Sequence, residues 1–469
     1  MTRPPVTRRA PGFLIIIATA AGFAACTTGE NYKRPVTTAP DQFRGRSADA
    51  PSDVRSIADE PWATVFDDDV LRQLLTSALA QNYDVRIAAS RIEQVEAQYR
   101  ITRADRFPTV TGQAAALGQH GTVVNSETLP TAGLVQIGAG LSWELDFWGK
   151  FRRATEAAKA EIAASEWGRR AILTSLVSEV TSRYYGLRSL DLELEISERT
   201  LTSRLESLRL TEIRERGGVT PLVDVRQAEQ LVFSARGQIA DVRRLIEQSE
   251  NGLSVLLGQN PGPIGRGRSL IEQPMTQSIP SGLPSTLLER RPDIVQAEQS
   301  LVAANARIGV AKAAYFPQIS LTAAGGVAST ALSNLFTAGT WAVGASLAQP
   351  IFNAGRIRSQ VALAEARRTE SELVYQQTIQ QAFREVSDAL IGYSRFRELR
   401  EAQQSVVVAA QDARRLADLR YQGGATSYLE VLDSDTRLFV AELGLVQAQL
   451  AEHNAFVEIY RALGGGWMS

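Results

Sequence analysis

Cysteine occurs once in the 469 residues, and histidine twice. One thiol makes no intramolecular disulfide and no Cys-based zinc site. His120 and His453 lie far apart in sequence and offer little to a His-rich metal centre or a His-dependent triad. An excess of one charge is also missing. The 50 Lys+Arg against 51 Asp+Glu leave a net charge of −1, where a nucleic-acid surface needs a basic excess. Aromatics are sparse at 7%, yet 44% hydrophobic residues suffice for a core and argue against wholesale disorder. Beyond the N-terminus no run of about 18 apolar residues exists, so no transmembrane helix is expected. If the mature chain crosses a bilayer, it must do so with strands. No nucleophile–base pair or metal-ligand cluster stands out, so neither catalysis, nor a metal, nor a cofactor is expected.

What is present begins with an export signal over residues 1–25. Arg3, Arg8 and Arg9 form a basic stretch. Residues 13–23 are apolar, about eleven in all, against the roughly 20 that a membrane-spanning helix needs. Phe23-Ala24-Ala25-Cys26 places small residues just before the only Cys and resembles a bacterial lipobox, with Phe23 where Leu is usual. In such a motif the Cys becomes the acylated N-terminus, so Cys26 is the expected lipidation site and the lipid its only attached group. Thr27 follows, where Asp would resemble an inner-membrane retention signal, and this favours the outer membrane. The alternative is an ordinary signal peptide with a chance Cys. Residues 26–69 read as an extended segment.

The rest of the chain repeats itself at an offset of about 206 residues. Gly217-Gly218-Val219-Thr220 recurs as Gly423-Gly424-Ala425-Thr426, Gly149-Lys150 as Gly355-Arg356, and Leu257-Gly258 as Leu463-Gly464. The first repeat spans 70–258, a linker 259–283, and the second repeat 284–469. Each reads helix, strand, strand, long helix, turn, helix.

Between about 150 and 216 there is no Pro, Gly appears only at 168 and 186, and Ala, Leu, Glu and Arg dominate. That predicts one helix of roughly 100 Å, and 356–422 repeats it. The helices after the turns, 221–257 and 427–463, are roughly 55 Å, and the leading helices, 70–105 and 284–314, roughly 45–50 Å. A long helix lined by two shorter ones is a coiled-coil rod.

Residues 133–147 alternate: Val135, Ile137, Leu141 and Trp143 on one face, Gln136, Ser142, Glu144 and Asp146 on the other. A period of two is a strand with one apolar and one wet face, long enough for the roughly 9–11 residues a bilayer crossing takes. Residues 341–351 repeat the pattern, with partners at about 108–118 and 317–325. Four strands cannot close a barrel, since about eight are needed even for a filled one, and open edges cannot sit in lipid. Several chains must therefore pool their strands. Glu144 and Asp146 are expected to face the lumen. Trp143, Phe147, Trp148 and Trp341 are expected either in an interfacial girdle or packed on a neighbouring chain.

The stretch from Leu283 through Glu289-Arg290-Arg291-Pro292-Asp293 to Tyr315-Phe316-Pro317 resembles the TolC-like outer-membrane efflux channels, in their OprM-like, NodT-type lipoprotein branch. Asn31-Tyr32-Lys33-Arg34-Pro35 and Tyr460-Arg461-Ala462-Leu463-Gly464-Gly465-Gly466-Trp467 fit as well, so the resemblance covers the mature chain. It implies a mixed α and β fold: a homotrimer with a pooled twelve-stranded outer-membrane β-barrel and a periplasmic α-barrel of long antiparallel helices. It also implies a periplasmic membrane-fusion adaptor and an inner-membrane RND transporter as partners, outer-membrane lipid around the barrel, and no enzymatic activity.

The turns carry two readings. Gly pairs suit helix C-termini that need positive φ, Thr220-Pro221 an N-cap and first turn, and Ser427-Tyr428-Leu429-Glu430 a capping box. Capping alone accounts for these residues. The resemblance adds that Gly217, Gly218, Val219, Thr220, Gly423, Gly424, Ala425, Thr426 and Ser427 are periplasmic tips meeting the adaptor, and that Leu429 and Asp433 narrow the aperture. Relatives often carry Arg three residues after that Asp. Here Thr436 stands there and Arg437 follows, leaving Asp435 and Arg437 as substitutes for the expected latch. The alternative for both aspartates is a solvated helix face. The function expected is passive export of drugs or other small compounds. A duct for type I protein secretion is the runner-up, and a periplasmic coiled-coil lipoprotein that spans no bilayer is the alternative from another class.

Overall fold

The structure, a computed structural model, describes residues 27–37, 39–45, 55–119, 123–124, 127–128, 132–273 and 279–467. Cys26 and His120 lie outside the described residues. The main elements are α1 (Asp69–Gln81), α2 (Tyr83–Ala104), β1 (Thr109–Gln119), β2 (Ala132–Glu144), α3 (Lys150–Arg216) and α4 (Leu222–Leu256). They recur as α5 (Pro284–Arg290), α6 (Pro292–Ala313), β3 (Gln318–Ser329), β4 (Gly339–Ala348), α7 (Arg356–Gln422) and α8 (Tyr428–Ala462). Among the described residues no helix is long and apolar enough to cross a membrane.

The two long helices run 67 residues each, about 100 Å at the α-helical rise. Each starts after a glycine in the left-handed region, Gly149 at φ 76° and Gly355 at φ 82°. The middle of α3 is buried although it carries hydroxyl residues. Thr181 and Ser197 satisfy themselves on the carbonyls four residues back, Val177 and Glu193, at 2.7 Å.

Each leading helix, expected as one piece, is broken. Asn82 ends α1 and caps α2, accepting from the Asp84 N–H at 2.8 Å while its amide donates to the Leu256 carbonyl at 2.9 Å. Arg291 separates α5 from α6 because it precedes Pro292, which drives it out of the helical region to φ −72°, ψ 121°.

The chain forms two compact units, and each draws on both sequence repeats rather than on one. One takes the N-terminal segment up to Val36, Ile92–Ser165 and Ala297–Tyr375; the other takes Thr37–Arg91, Glu166–Gln296 and Gln376–Ser469.

The first unit holds a four-stranded antiparallel sheet in the order β1-β2-β3-β4. The two repeats supply one hairpin each, joined where Val135 faces Ser329 and Glu144 faces Ser320. Among the described residues, β1 and β4 have no partner on their outer edges. Paired residues share a face. Leu141 with Val110 and Ala323, then Val343 opposite Ala323, trace an apolar face, and Gln113, Gln136 and Thr322 lie on the polar one. On the apolar face Trp341 and Val343 are 83% and 76% exposed.

An arm, residues 27–36, is fastened in the same unit. The buried Arg153 donates to the Thr28 and Gly29 carbonyls and to Asn31 Oδ1 at 2.9–3.1 Å. Thr28 Oγ1 reaches the carbonyls of Trp148 and Gly309, and Arg34 grips Glu298 at 2.7 and 2.6 Å.

In the second unit, the buried Asp68 caps α1 through the N–H groups of Val70 and Leu71 and accepts from Gln273 and the Arg268 N–H. Burial works against its charge, but the Leu71 N–H and the other donors outweigh it and hold the carboxyl below its ordinary value. The Arg290-Arg291-Pro292-Asp293 stretch is a structural pin. Arg291 is buried and joins Asp293, Glu385 on α7 and the Ala462 carbonyl at the end of α8.

Candidate functional site

The two turns between long and short helices are built alike. After α3 the Val219 N–H returns to the Arg214 carbonyl and the Gly218 N–H to Glu215, both at 2.9 Å. After α7 the Ala425 N–H returns to Arg420 at 2.8 Å and the Gly424 N–H to Tyr421 at 3.1 Å. This double return is the Schellman motif, and it needs the left-handed φ of 73° found at both Gly218 and Gly424. In each pair the second glycine meets the backbone demand.

The expected N-caps are not made. The cap position before α4 is Pro221, not Thr220, and the Thr220 hydroxyl donates to the Asp224 carboxylate instead. Ser427 stands at the cap of α8 in extended backbone but makes no side-chain cap bond. Glu430 cannot reach back to close the box, because the Thr426 hydroxyl and Arg420, the latter at 2.9 Å, hold its carboxylate.

Below the turns the two hairpins share a small core. Ala228, Ala417, Tyr421, Tyr428 and Val431 are buried together, with Leu208 and Leu432 packed against them. Arg214 covers the Tyr421 ring at 4.5 Å and donates to the Tyr421 and Gln422 carbonyls. The Tyr428 hydroxyl meets Ser207 at 3.1 Å.

This packing sorts the expected aperture residues. Leu429, Asp433, Arg437 and Val440 fall at helical spacing on one stripe of α8, each more than half exposed. Asp433 pairs with Arg437 at 2.8 Å.

Asp435 is a correction. It is buried on the opposite side of α8, accepting from Arg204 on α3 at 2.9 Å and from Arg414 on α7 at 3.3 Å. Arg204 also donates to the Leu231 carbonyl on α4, so one carboxylate and its arginines tie all four helices. Asp435 therefore does not stand on the exposed stripe that carries Leu429 and Asp433. Arg204, Arg414, Arg214 and Tyr421 went unread because only their partners' positions give them a role. Asp435 itself was legible, since it shares the i, i+3, i+7 spacing of Tyr428 and Val431.

Asp146 is a second correction. β2 ends at Glu144, so Asp146 is on no strand. Asp146 accepts from the Phe151 and Arg152 N–H groups at 3.1 and 2.9 Å and pairs with the Arg152 side chain. It is the carboxylate at the N-terminus of α3, where the helix dipole favours a negative charge. Glu144 remains at the strand end but pairs with Lys150 at 2.9 Å. Of the tryptophans, Trp148 is used inside the chain: it stacks on Phe316 at 4.7 Å and donates to the Pro317 carbonyl at 2.7 Å. Trp341 stands out from the sheet.

Comparison with known proteins agrees with this layout. A model of the outer membrane efflux protein family matches residues 74–259 and 283–465. The chain is 38% identical over 453 residues to the solvent efflux pump outer membrane protein SrpC of Pseudomonas putida, covering 94% of this chain and 96% of that one. It is 34% identical over 460 residues to the cation efflux system protein CusC of Escherichia coli O6:H1, covering 97% and 99%. Among solved structures, the open state of the MtrE outer membrane channel of Neisseria gonorrhoeae superposes with a TM-score of 0.85 at 31% identity, over 94% of this chain and 99% of that one.

Proposed function

The chain belongs to the outer membrane efflux protein family and is an efflux channel of the outer membrane with a periplasmic extension, and on that premise we propose that three copies pool their sheets into one barrel. The observation that carries this is the four-stranded sheet, whose two edges have no partner among the described residues and whose apolar face is exposed. Unpaired backbone groups cannot face lipid, and three such sheets give enough strands to leave a water-filled lumen inside the polar face.

The helical hairpins then line the periplasmic end. The turns Gly217–Thr220 and Gly423–Ser427 meet a membrane-fusion adaptor, and an inner-membrane RND transporter supplies the energy. The duct itself catalyses nothing. Leu429 and Asp433 project from α8 into the aperture, supported by their shared exposed stripe. Relatives are named for solvents, antibiotics and cations, which suits a wide duct whose cargo the pump selects. The cargo class is drugs and other small toxic compounds. The acylated Cys26 adds a lipid anchor, supported by the docking of Thr28 at the strand–helix junction beside Trp148.

Single-channel recording of the purified protein in planar bilayers tests the reading. Conductance that rises in Asp433→Ala supports both duct and aperture. No conductance in the native protein, Asp433→Ala or Leu429→Ala would favour the periplasmic scaffold that spans no bilayer.

A further inference from the structure

The exposed stripe of α8 carries charge of both signs. Arg437 Nε lies 2.8 Å from Asp433 Oδ2, both side chains more than half exposed, one turn apart on the same helix. The other acidic residues at this end of α8 are also compensated: Glu430 by Arg420, and Asp435 by Arg204 and Arg414. The first repeat, 206 positions earlier, places Val223, Gln227 and Leu231 where the second has Leu429, Asp433 and Arg437. The charged stripe is therefore a property of α8 alone, and within it every carboxylate has an arginine of its own chain.

We propose that Arg437 sets the ion selectivity of the aperture, as the counter-charge that neutralises a ring of Asp433 carboxylates. This rests on the reading of the α8 stripe as aperture-facing. An exposed ion pair contributes little stability and exchanges with water, but selectivity does not need the bridge to persist. A guanidinium one helical turn away stays within a Debye length of the carboxylate, about 8 Å at physiological salt, whether or not the two touch. A ring of three aspartates alone would concentrate cations in the constriction, and a ring of three Asp–Arg pairs does not. The polar face of the sheet adds little to that field, because its one carboxylate at the end of β2, Glu144, is itself paired with Lys150.

The test is the potassium-to-chloride permeability ratio from reversal potentials in a KCl gradient, on the full-length protein in planar bilayers. The native channel and Arg437→Lys are expected to discriminate weakly. Arg437→Gln should shift the ratio several-fold toward potassium, and Asp433→Asn toward chloride. The double variant Asp433→Asn with Arg437→Gln should return to the native ratio. A shift in Asp433→Asn with none in Arg437→Gln overturns the counter-charge while leaving the aperture in place. If Asp433→Asn, Arg437→Gln and Leu429→Ala all keep the native ratio and conductance, the stripe does not face the aperture and both readings fall. Unchanged melting of each variant, expected for side chains this exposed, separates these outcomes from misfolding.

Discussion

Arg204 and Asp435 meet at 2.9 Å between two helices more than 200 residues apart in sequence, with the arginine side chain only 4% exposed. The pair gains its value from what its loss would leave behind. Asp435→Ala strands the buried Arg204 without a carboxylate, while Arg414 keeps Asp418, and should destabilise the chain by about 3–5 kcal/mol. A melting temperature of Asp435→Ala in detergent equal to the native one would show that the pin holds nothing. Replacing both partners by apolar residues, Arg204→Met with Asp435→Leu, should recover most of the loss.

A glycine in a turn, Gly218, and one inside a helix, Gly309 of α6, should respond differently. A Cβ at Gly218 meets nothing within 4 Å, so Gly218→Ala costs only its left-handed backbone, about 1 kcal/mol. A Cβ at Gly309 would sit 2.6 Å from the Thr28 carbonyl oxygen and 2.8 Å from Arg153 Cγ. Gly309→Ala should push the arm off its seat, so limited proteolysis should cut residues 27–36 in that variant and spare them in Gly218→Ala. Equal protection in both would refute the crossing as a tight fit.

His453 gives the second unit a pH dependence. Burial, reinforced by Arg400 and partly offset by a hydrogen bond with the Leu270 backbone, lowers its pKa from 6.5 to about 4. The native state therefore disfavours the proton that the unfolded chain binds. The stabilisation is fully present above pH 6.5 and is lost as pH falls toward 4, by up to about 3 kcal/mol. Replacement of His453 by Phe should flatten the melting temperature between those pH values, and a slope identical to the native one would exclude His453 as its source.

Cys26→Ala should abolish incorporation of labelled palmitate, since no other Cys exists in the chain. Labelling that persists would remove the lipid anchor from the account.

Much of the fold was legible because its punctuation is local. The absence of Pro and the bracketing glycines set the ends of α3 and α7, and the period-two pattern located β2 and β4. What failed was decided by competition between side chains. Asp146 continues the alternation of β2 in sequence, yet two free N–H groups at the start of α3 claim its carboxylate. Ser427 has the right residue three positions on, but Thr426 and Arg420 reach Glu430 first. The break at Arg291 was readable from Pro292; the one at Asn82 depends on the Leu256 carbonyl, 174 residues away.

The open edges of β1 and β4 have a genetic consequence. Each copy must both offer and accept a strand, so one defective edge spoils every ring it joins. A chain with proline placed in the middle of β4 should poison its normal siblings when the two are co-expressed, lowering the yield of conducting channels more steeply than its share of the pool. A proportional decline would mean that faulty copies are discarded before the ring closes.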